Sequence, residues 1–346
     1  MGEIVRAGLD IAKEVFQVHG VDANGEVVSR RKLRRGELLA YFKKLDPCLI
    51  GIESCATSHH WARALSKLGH KVKLVSPSFV KPFVKSQKND AADAEAICEA
   101  IARPGMRFVS IKSEAQQAIL TIHRARDLFS RQRTMLINAL RAHIAEYGHV
   151  ARLGELGLKS LLELVETDER DLLPEVARDA LVTIAAQIRA LGDKIAALER
   201  KIEAWHRASP ESIRLATIPG IGALAASALT ATVPDPRIFR SGRGLAAWLG
   251  LVPKQYSSGG TTKLGRITKR CNRYLRRLLV FGARNVLVAF KSGRTRVPRK
   301  IAELLSRKPL LVAAVAFANK LARAAWALLT KCEQYRDPSA VAYGEV

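Results

Sequence analysis

The sequence predicts an α/β fold in its first third, a helical coiled-coil middle third and a mainly helical last third. Short apolar segments alternate with helical patterns up to about residue 110, an apolar heptad repeat follows, and the remaining chain alternates apolar helical stretches with turns that contain Gly and Pro. With 346 residues, of which 48% are apolar, the chain can bury several cores, which excludes a disordered chain and a collagen-like fibre. We predict three domains, at 1–110, 111–208 and 209–346.

The first third begins with three segments that alternate like antiparallel strands. An apolar run covers 4–9, and the next two strands, at 15–20 and 26–33, flank a turn at 22–25. The later elements are a helix at 36–44, the strand LIGIE at 49–53, a helix at 57–68, a strand at 72–77 and an Ala-rich helix at 89–102. This order predicts three antiparallel strands followed by helix-linked strands.

The middle third is helical from 113 to about 147 and again from about 174 to 205. The second stretch carries apolar residues at alternating steps of three and four, namely Leu181, Ile184, Ile188, Leu191, Ile195, Leu198, Ile202 and Trp205. This spacing predicts a supercoiled seam that a second helix must cover. The covering helix is either 113–147 of the same chain or a helix of another subunit. The second alternative predicts a homo-oligomer, a dimer or a tetramer, formed through 181–205.

The last third opens with two helical segments around Pro219-Gly220-Ile221-Gly222, a turn that resembles a helix-hairpin-helix. Gly220 and Gly222 would let backbone N–H groups approach a phosphate, although a plain helix–helix connection has the same pattern. A Ser/Gly/Thr loop at 257–262 then leads to a basic helix from about residue 268. The apolar tail at 309–332 contains Lys320 and Arg323, which favours a core helix over a membrane span.

The charge is concentrated at one end of the chain. The net charge is +25, and residues 211–346 carry 24 basic and 6 acidic groups, whereas 111–210 carry 15 and 14. No acidic residue lies between Asp235 and Glu303, where 17 Lys and Arg residues occur. This imbalance predicts a nucleic-acid partner, with an anionic membrane or a generic solubility charge as weaker alternatives. The expected phosphate contacts are Lys263, Arg266, Lys269, Arg270, Arg273, Arg276 and Arg277.

The cysteines and the N-terminus predict a cytoplasmic protein. The five cysteines are scattered and form no CxxC pair, which is typical of thiols in a reducing compartment. The first residues lack the apolar core of a signal peptide, because Asp10, Lys13 and Glu14 interrupt it.

Four acidic residues of the first third have the arrangement of a metal site. Asp10 follows the first apolar run, Glu53 closes the strand LIGIE, and Asp90 and Asp93 share one face at the start of a helix. Such carboxylates can hold one or two Mg²⁺ ions beside a phosphate, and their order is that of the ribonuclease-H-like fold. The alternative makes Asp10 a turn residue, Glu53 a chance neighbour and Asp90 a helix cap. Glu95 and Glu99 lie on the same helix as decoys.

The second candidate site is Ser257-Ser258-Gly259-Gly260, beside the densest basic cluster. A serine hydroxyl there could attack a phosphodiester if nearby cations stabilised the developing charge. From the residues alone, this is the weaker interpretation, because Ser-Ser-Gly-Gly is an ordinary loop sequence.

Together, the motifs resemble the transposases of insertion-sequence family 110, in particular its branch 1111, and the Piv-type site-specific DNA invertases. The resemblance rests on GLDIAKEVFQVHGV, GIESCATSHHWA, VKSQKNDAADAEAI, IPGIG, GLVPKQYSSGG and GRITKRCNRYLRRLL, which follow one another in order over residues 4–290.

The resemblance implies a RuvC-like N-terminal domain whose DEDD tetrad maps onto Asp10, Glu53, Asp90 and Asp93. It also implies a C-terminal transposase domain whose nucleophilic serine maps onto Ser258, with Ser257 adjacent. A structured guide RNA that pairs with donor and target DNA is a further implication.

We therefore expect a DNA recombinase that moves an insertion element. Two alternatives stay open at this point: a metal-dependent junction nuclease that uses water and only the four carboxylates, and a basic architectural protein that binds DNA junctions without catalysis.

Overall fold

The computed structural model describes residues 3–85, 89–167, 173–269, 272–333 and 335–336. The chain packs as two compact units. The first comprises Met1–Glu114 and Val233–Arg240, and the second comprises Ala115–Thr232 and Ser241–Val346. Most of the predicted middle and last domains thus lie in one unit, and the three-domain division by function remains a prediction.

A six-stranded mixed sheet forms the centre of the first unit. The strands are β1 (Arg6–Ile11), β2 (Val15–Val21), β3 (Val27–Arg34), β4 (Leu49–Glu53), β5 (Lys71–Val75) and β6 (Phe108–Val109), in the order β3-β2-β1-β4-β5-β6. β1, β2 and β3 pair antiparallel, while β1 pairs parallel with β4 and β4 with β5. This confirms the predicted α/β order. Two-residue β6 was not predicted, because so short a segment shows no periodicity.

Helices cover both faces of this sheet. They are α1 (Leu38–Phe42), α2 (Ser58–Lys67), α3 (Pro77–Val80) and α4 (Asp90–Ala102). One buried cluster joins Leu9, Ile50 and Leu74 of the sheet with α1 and α2. A second cluster joins Ile97 and Ile101 of α4 with α3 and the end of β5. Each face of the sheet therefore has its own apolar core.

Two glycines let α4 lie directly on the sheet. A Cβ placed on Gly8 of β1 would lie 2.0 Å from the Ala94 carbonyl oxygen and 2.6 Å from the Cys98 nitrogen. A Cβ on Gly51 of β4 would lie 2.6 Å from the Ile101 side chain. At Gly8, no other residue fits without moving the helix backbone, and at Gly51 a larger residue would displace the side chains of Ile97 or Ile101.

The helical part of the second unit begins with α5 (Glu114–Ala145), α6 (Glu155–Glu166) and α7 (Glu175–Arg207). α5 of the same chain covers both ends of the predicted heptad seam on α7. Near its start, the seam shares a buried cluster with Leu140 and Ile144 of α5. Near its end, Ile202 shares a cluster with Ile119 and Leu120 of α5. Of the two predicted partners, the same-chain helix is present, and an oligomer through the seam remains a prediction.

The short helix α6 was not predicted, although its leucines complete the core that α5 and α7 begin. Leu158, Leu161 and Leu162 are buried in the same cluster as the start of the seam. On the surface, Arg189 of α7 donates two hydrogen bonds to the Glu166 carboxylate at the end of α6.

The remaining elements are α8 (Pro210–Ala216), α9 (Ala223–Thr232), α10 (Gly242–Trp248), β7 (Pro253–Ser258), β8 (Thr261–Ile267), α11 (Arg273–Lys291), α12 (Arg299–Arg307) and α13 (Leu310–Lys331). The prediction of a loop at 257–262 was wrong, because these residues belong to an antiparallel hairpin of β7 and β8. Gly259 and Gly260 have φ of +54° and +78°, the conformation that a two-residue hairpin turn requires. The basic helix begins at Arg273, not near 268, because Asn272 caps it by accepting the Leu275 N–H at 3.0 Å.

The apolar tail forms α13, which is long and apolar enough by composition to cross a membrane. Ala314, Ala318 and Ala322 on α13 are nonetheless fully buried within the protein. The helix packs against α10 and α11, as expected for a core helix.

The Gly8 contact predicts that Gly8→Ala lowers the free energy of unfolding of the first unit by about 1–3 kcal/mol, the usual cost of overpacking. Calorimetric melting of the full chain would measure the change. Gly36→Ala is the matched control, because Gly36 is exposed and a Cβ there meets nothing within 4 Å. Equal melting temperatures for Gly8→Ala and wild type would contradict the proposed fit of α4.

Candidate active site

The sheet brings Asp10 and Glu53 to the same edge and the same face. β1 and β4 run parallel, and Leu9 is paired with Ile52, so the two acids follow at equivalent positions. Side chains alternate along a strand, which puts Asp10 on the face of Gly8 and Glu53 on the face of Gly51. Both glycines contact α4. The two carboxylates therefore lie on the face that α4 covers.

Helix α4 begins at this edge and supplies the other two acids. Asn89 is its N-cap residue, accepting the Ala92 N–H at 2.8 Å, so the alternative of Asp90 as the cap is wrong. Asp90 and Asp93 occupy the first turn, where the helix dipole favours negative charge. Asp90 is exposed and Asp93 is half-buried.

The electrostatics of Asp10 report how close these acids are. The pKa of Asp10 is raised to about 6, chiefly by burial and in addition by repulsion from Asp90, Asp93 and Glu53. Four carboxylates near one another are destabilising unless a proton or a cation neutralises them. The group is therefore a candidate cation site of the chemistry that hard divalent ions prefer.

The four acids have the chemistry of a cation site, but their side chains are not close enough together to surround an ion. Within the described residues, no three His, Cys, Asp or Glu side chains stand close enough to hold a metal ion. The carboxylates repel one another in this arrangement, and a bound cation would reverse that repulsion. The donor set therefore suits a divalent ion, provided that the side chains converge on it.

The decoy acids on α4 are engaged elsewhere. Glu95 accepts a hydrogen bond from Lys85 at 2.7 Å, and this contact lowers the pKa of Glu95. Glu99 pairs with Arg103 at 3.3 Å. Neither acid contributes to the raised pKa of Asp10, so the structure separates them from the candidate site.

Ser258 lies at the tip of the β7–β8 hairpin in the second unit. It is the last residue of β7, pairs with Thr261 across the Gly-Gly turn and is exposed. The neighbouring Ser257 accepts a hydrogen bond from the Gln255 side-chain amide at 2.7 Å. In the part of the chain that the structure describes, the Ser258 hydroxyl has no such partner. This difference, which sequence alone did not provide, favours Ser258 over Ser257 as the available hydroxyl.

The predicted phosphate-binding residues divide into two groups. Lys263, Arg266, Lys269 and Arg273 are exposed and have no acidic partner among the described residues. Arg276 is half-buried and donates to the Leu249 carbonyl at 3.0 Å. Arg277 pairs with Asp127 and lies over the Tyr274 ring. Arg270 lies outside the described residues.

These contacts give Arg276 and Arg277 roles in holding α11 in place, which the charge pattern did not reveal. A chain of contacts continues inward from there. His123 on α5 is fully buried between Tyr274 and Ser227, at 3.0 Å and 3.2 Å. Burial and the Arg126 charge lower the pKa of His123 to about 4, so this histidine is neutral at pH 7.

The Pro219–Gly222 turn joins α8 to α9. Gly220 has φ +94°, and a Cβ on Gly282 of α11 would lie 1.9 Å from the Gly220 carbonyl oxygen. Gly220 is therefore engaged in packing against α11. Gly222 is exposed and has open space around its Cα, so it remains the better candidate of the two for a phosphate contact.

Known sequences match this chain over nearly its whole length. Residues 7–149 match a DEDD transposase domain of the IS110 type, and residues 212–298 match the transposase IS116/IS110/IS902 family. The four acids fall in the first range and Ser258 falls in the second.

Among similar proteins, a probable family 20 transposase of Pseudomonas aeruginosa is 47% identical over 332 residues, which cover 96% of this chain and 98% of the relative. The transposase for insertion sequence element IS1328 of Yersinia enterocolitica is 40% identical, with the same coverage. The transposase for insertion sequence element IS1111A of Coxiella burnetii is 37% identical, over 97% of this chain and 92% of the relative.

The raised pKa of Asp10 predicts a gain in stability when its charge is removed. The folded state holds the Asp10 proton more tightly than the unfolded state, so the wild type loses stability as the pH rises from about 4 to about 6 and stays penalised above that. One pKa unit corresponds to about 1.4 kcal/mol, and partial exposure reduces the effect. Asp10→Asn should therefore stabilise the chelator-treated protein by about 1–2 kcal/mol at pH 7.5.

Thermal melting in a metal chelator at pH 4.5 and pH 7.5 checks this expectation, because the gain should be smaller at the lower pH. Glu99→Gln is the control, since Glu99 has a basic partner and no gain is expected. A loss of stability for Asp10→Asn at pH 7.5 would contradict the repulsion.

Proposed function

The chain belongs to the IS116/IS110/IS902 family of transposases, enzymes that cut and rejoin DNA, and on this premise we propose how it moves an insertion element. Ser258 is the nucleophile that attacks the DNA backbone. Asp10, Glu53, Asp90 and Asp93 form the metal site of a RuvC-like domain. The exposed basic residues of β8 and α11 hold the phosphates.

The placement of the four acids at one edge of the sheet, where the other three raise the pKa of Asp10, supports this proposal. Carboxylates that repel one another lower stability, and a site that retains them has a use for them. That use is to bind a divalent cation, for which we propose one or two Mg²⁺ ions. When bound, the cation supplies Lewis-acid stabilisation of the charge on the phosphate oxygens.

In the proposed reaction, the Ser258 Oγ forms a bond to the scissile phosphorus and the bond from phosphorus to the 3′ oxygen breaks. The serine loses its proton, and the leaving oxygen gains one to become a free 3′-OH. The DNA 5′ end stays attached to Ser258 as a phosphodiester. Because one phosphodiester replaces another, a 3′-OH of a second strand can reverse the step without ATP.

The surroundings of Ser258 support its assignment. The hairpin tip is exposed, and Lys263 and Arg266 on the adjacent strand have no acidic partner among the described residues. Cations near the attacked phosphate stabilise the additional negative charge of the pentavalent transition state. Exposed Gly222 would offer a further contact to a phosphate through its backbone N–H.

The proposal includes a structured guide RNA, a homo-oligomer and a cytoplasmic location. Residues 211–346 carry a larger net positive charge than residues 1–210 do. This charge is compatible with binding of more than one nucleic acid. A dimer or tetramer would align two DNA partners for exchange.

Ser258→Ala should abolish DNA cutting and the covalent protein–DNA adduct while DNA binding stays within about twofold, because one neutral hydroxyl contributes little to phosphate affinity. Denaturing gels of reactions on labelled element-end DNA would detect the adduct, and mass spectrometry would locate the attached residue. Ser257→Ala is the matched control and should retain the adduct.

If Ser258→Ala cuts DNA at the wild-type rate, the serine mechanism is ruled out and the nuclease that uses water is favoured. Full biological activity of Asp10→Ala would sink both enzymatic mechanisms and leave the architectural alternative.

The guide-RNA part of the proposal has its own test. Protein co-expressed with the non-coding ends of its element should copurify with a transcript of them, and ribonuclease treatment should remove sequence-specific cutting. Ser258→Ala should bind the same transcript, since it lacks only the nucleophile. Sequence-specific cutting by protein free of RNA would contradict this part alone.

A further inference from the structure

A cleft of about 360 Å³ lies between α10 and α13 in the second unit. Its lining residues are Ser241, Gly242, Arg243, Arg323, Trp326 and Ala327. This volume is at the lower end of the range for small-ligand sites, roughly 300–1,000 Å³, and suits one nucleotide. None of the lining residues belongs to the acidic site or to the Ser258 hairpin.

Close helix packing fixes the base of this cleft. A Cβ on Gly242, the first residue of α10, would lie 3.0 Å from both the Cα and the carbonyl oxygen of Arg323. Gly242 is buried, and Ser241 caps the helix by accepting the Gly244 N–H. α10 therefore begins directly against the backbone of α13 at Arg323, and Arg243, the next residue of α10, lines the same cleft.

Two of the six residues that line the cleft are arginines. Arg243 and Arg323 are both exposed, and neither has an acidic partner in the part of the chain that the structure describes. Neither α10 nor α13 contains an Asp or a Glu. Two guanidinium groups without carboxylates attract an anion, and their fork of donors matches the oxygens of a phosphate.

An aromatic side chain completes the cleft. Trp326 is half-buried and lies one helical turn after Arg323 on α13, so the two share a face. Aromatic rings beside cationic side chains are the usual platform for unstacked bases, which stack on the ring while the cations hold the backbone. A paired base inside a duplex cannot reach such a ring.

We propose that this cleft binds an unpaired nucleotide of a DNA strand, with the base against Trp326 and the phosphate between Arg243 and Arg323. The inference rests on the proposed function for the source of that strand. A strand that leaves one duplex to join another is unpaired in between, so strand exchange supplies this ligand. The cleft would hold the strand while it is between partners.

Fluorescence anisotropy with the full chain tests the cleft. The probes are a labelled 20-nucleotide DNA strand, the blunt duplex of the same sequence and the RNA strand of the same sequence. Trp326→Leu should weaken single-stranded DNA binding about tenfold, the effect of losing one stacked base. Trp326→Phe keeps an aromatic ring and should stay within about threefold. Arg243→Gln with Arg323→Gln should also weaken it about tenfold, from two lost phosphate contacts.

The double variant Lys300→Gln with Lys308→Gln is the matched control. Both lysines are exposed on or beside α12, outside the cleft, and their loss removes the same charge. The arginine variant should weaken single-stranded binding more than this control does, while the two should bind duplex alike. Because Arg243 and Arg323 are exposed, their substitution leaves the fold intact even if Trp326→Leu does not fold.

Three results would overturn the inference: equal single-stranded affinity for the arginine variant and the lysine control, equal losses on duplex and single strand, or a loss confined to the RNA probe. None of them touches the Ser258 adduct, so the proposed function would survive them. If no Ser258 adduct forms but the cleft variants lose single-stranded DNA affinity as expected, the serine mechanism is overturned and the cleft proposal stands.

Discussion

The close packing of α4 on Gly8 and Gly51 is the contact on which the first unit depends. It brings the helix to the sheet with backbone in contact with backbone, so the start of α4 lies over the carboxyl ends of β1 and β4. This approach places the start of α4, with Asp90 and Asp93, where their charges raise the pKa of Asp10. A larger residue at Gly8 would clash with the α4 backbone and shift the helix that carries these two acids, although it would touch neither of them. The same contact therefore determines both the core and the candidate site.

The acids gathered by this packing oppose the stability of the fold. Asp10 has a raised pKa because it is partly buried and faces three other carboxylates, and a core under selection for stability alone would replace it. In a metal site such acids are useful: without the ion the carboxylates repel one another, but a bound cation attracts all of them. The binding energy of the ion then offsets the cost of assembling the acids. Because the acids lower stability, their presence together is the physical argument that they form a functional site.

Sequence patterns predicted the elements whose apolar periodicity extends over many residues or whose residue types occur in few structural positions. The order of strands and helices along the first third, α4 and the long helices follow from alternation and heptads, and the four candidate acids follow from their positions at element ends. The β7–β8 hairpin was missed because its strands are polar on both faces, so no apolar alternation marks them. Charge counts also could not separate Arg273, which is exposed, from Arg276, which donates to a main-chain carbonyl across the fold. Such distinctions depend on tertiary neighbours that lie far away in the sequence.

The hairpin also has a consequence for how the second unit works. All residues of β7 and nearly all of β8 are exposed, and a two-stranded hairpin with no core beneath it is marginally stable in water. Its shape is then held by the Gly-Gly turn and by whatever it binds. Under the proposed function, a DNA phosphate backbone binds Lys263 and Arg266 and orders the tip that carries Ser258. The proposed nucleophile would then be positioned by its substrate, and attack would be limited to DNA that is already bound. By contrast, the acids of the first unit lie on a sheet and a helix whose positions are fixed by apolar cores.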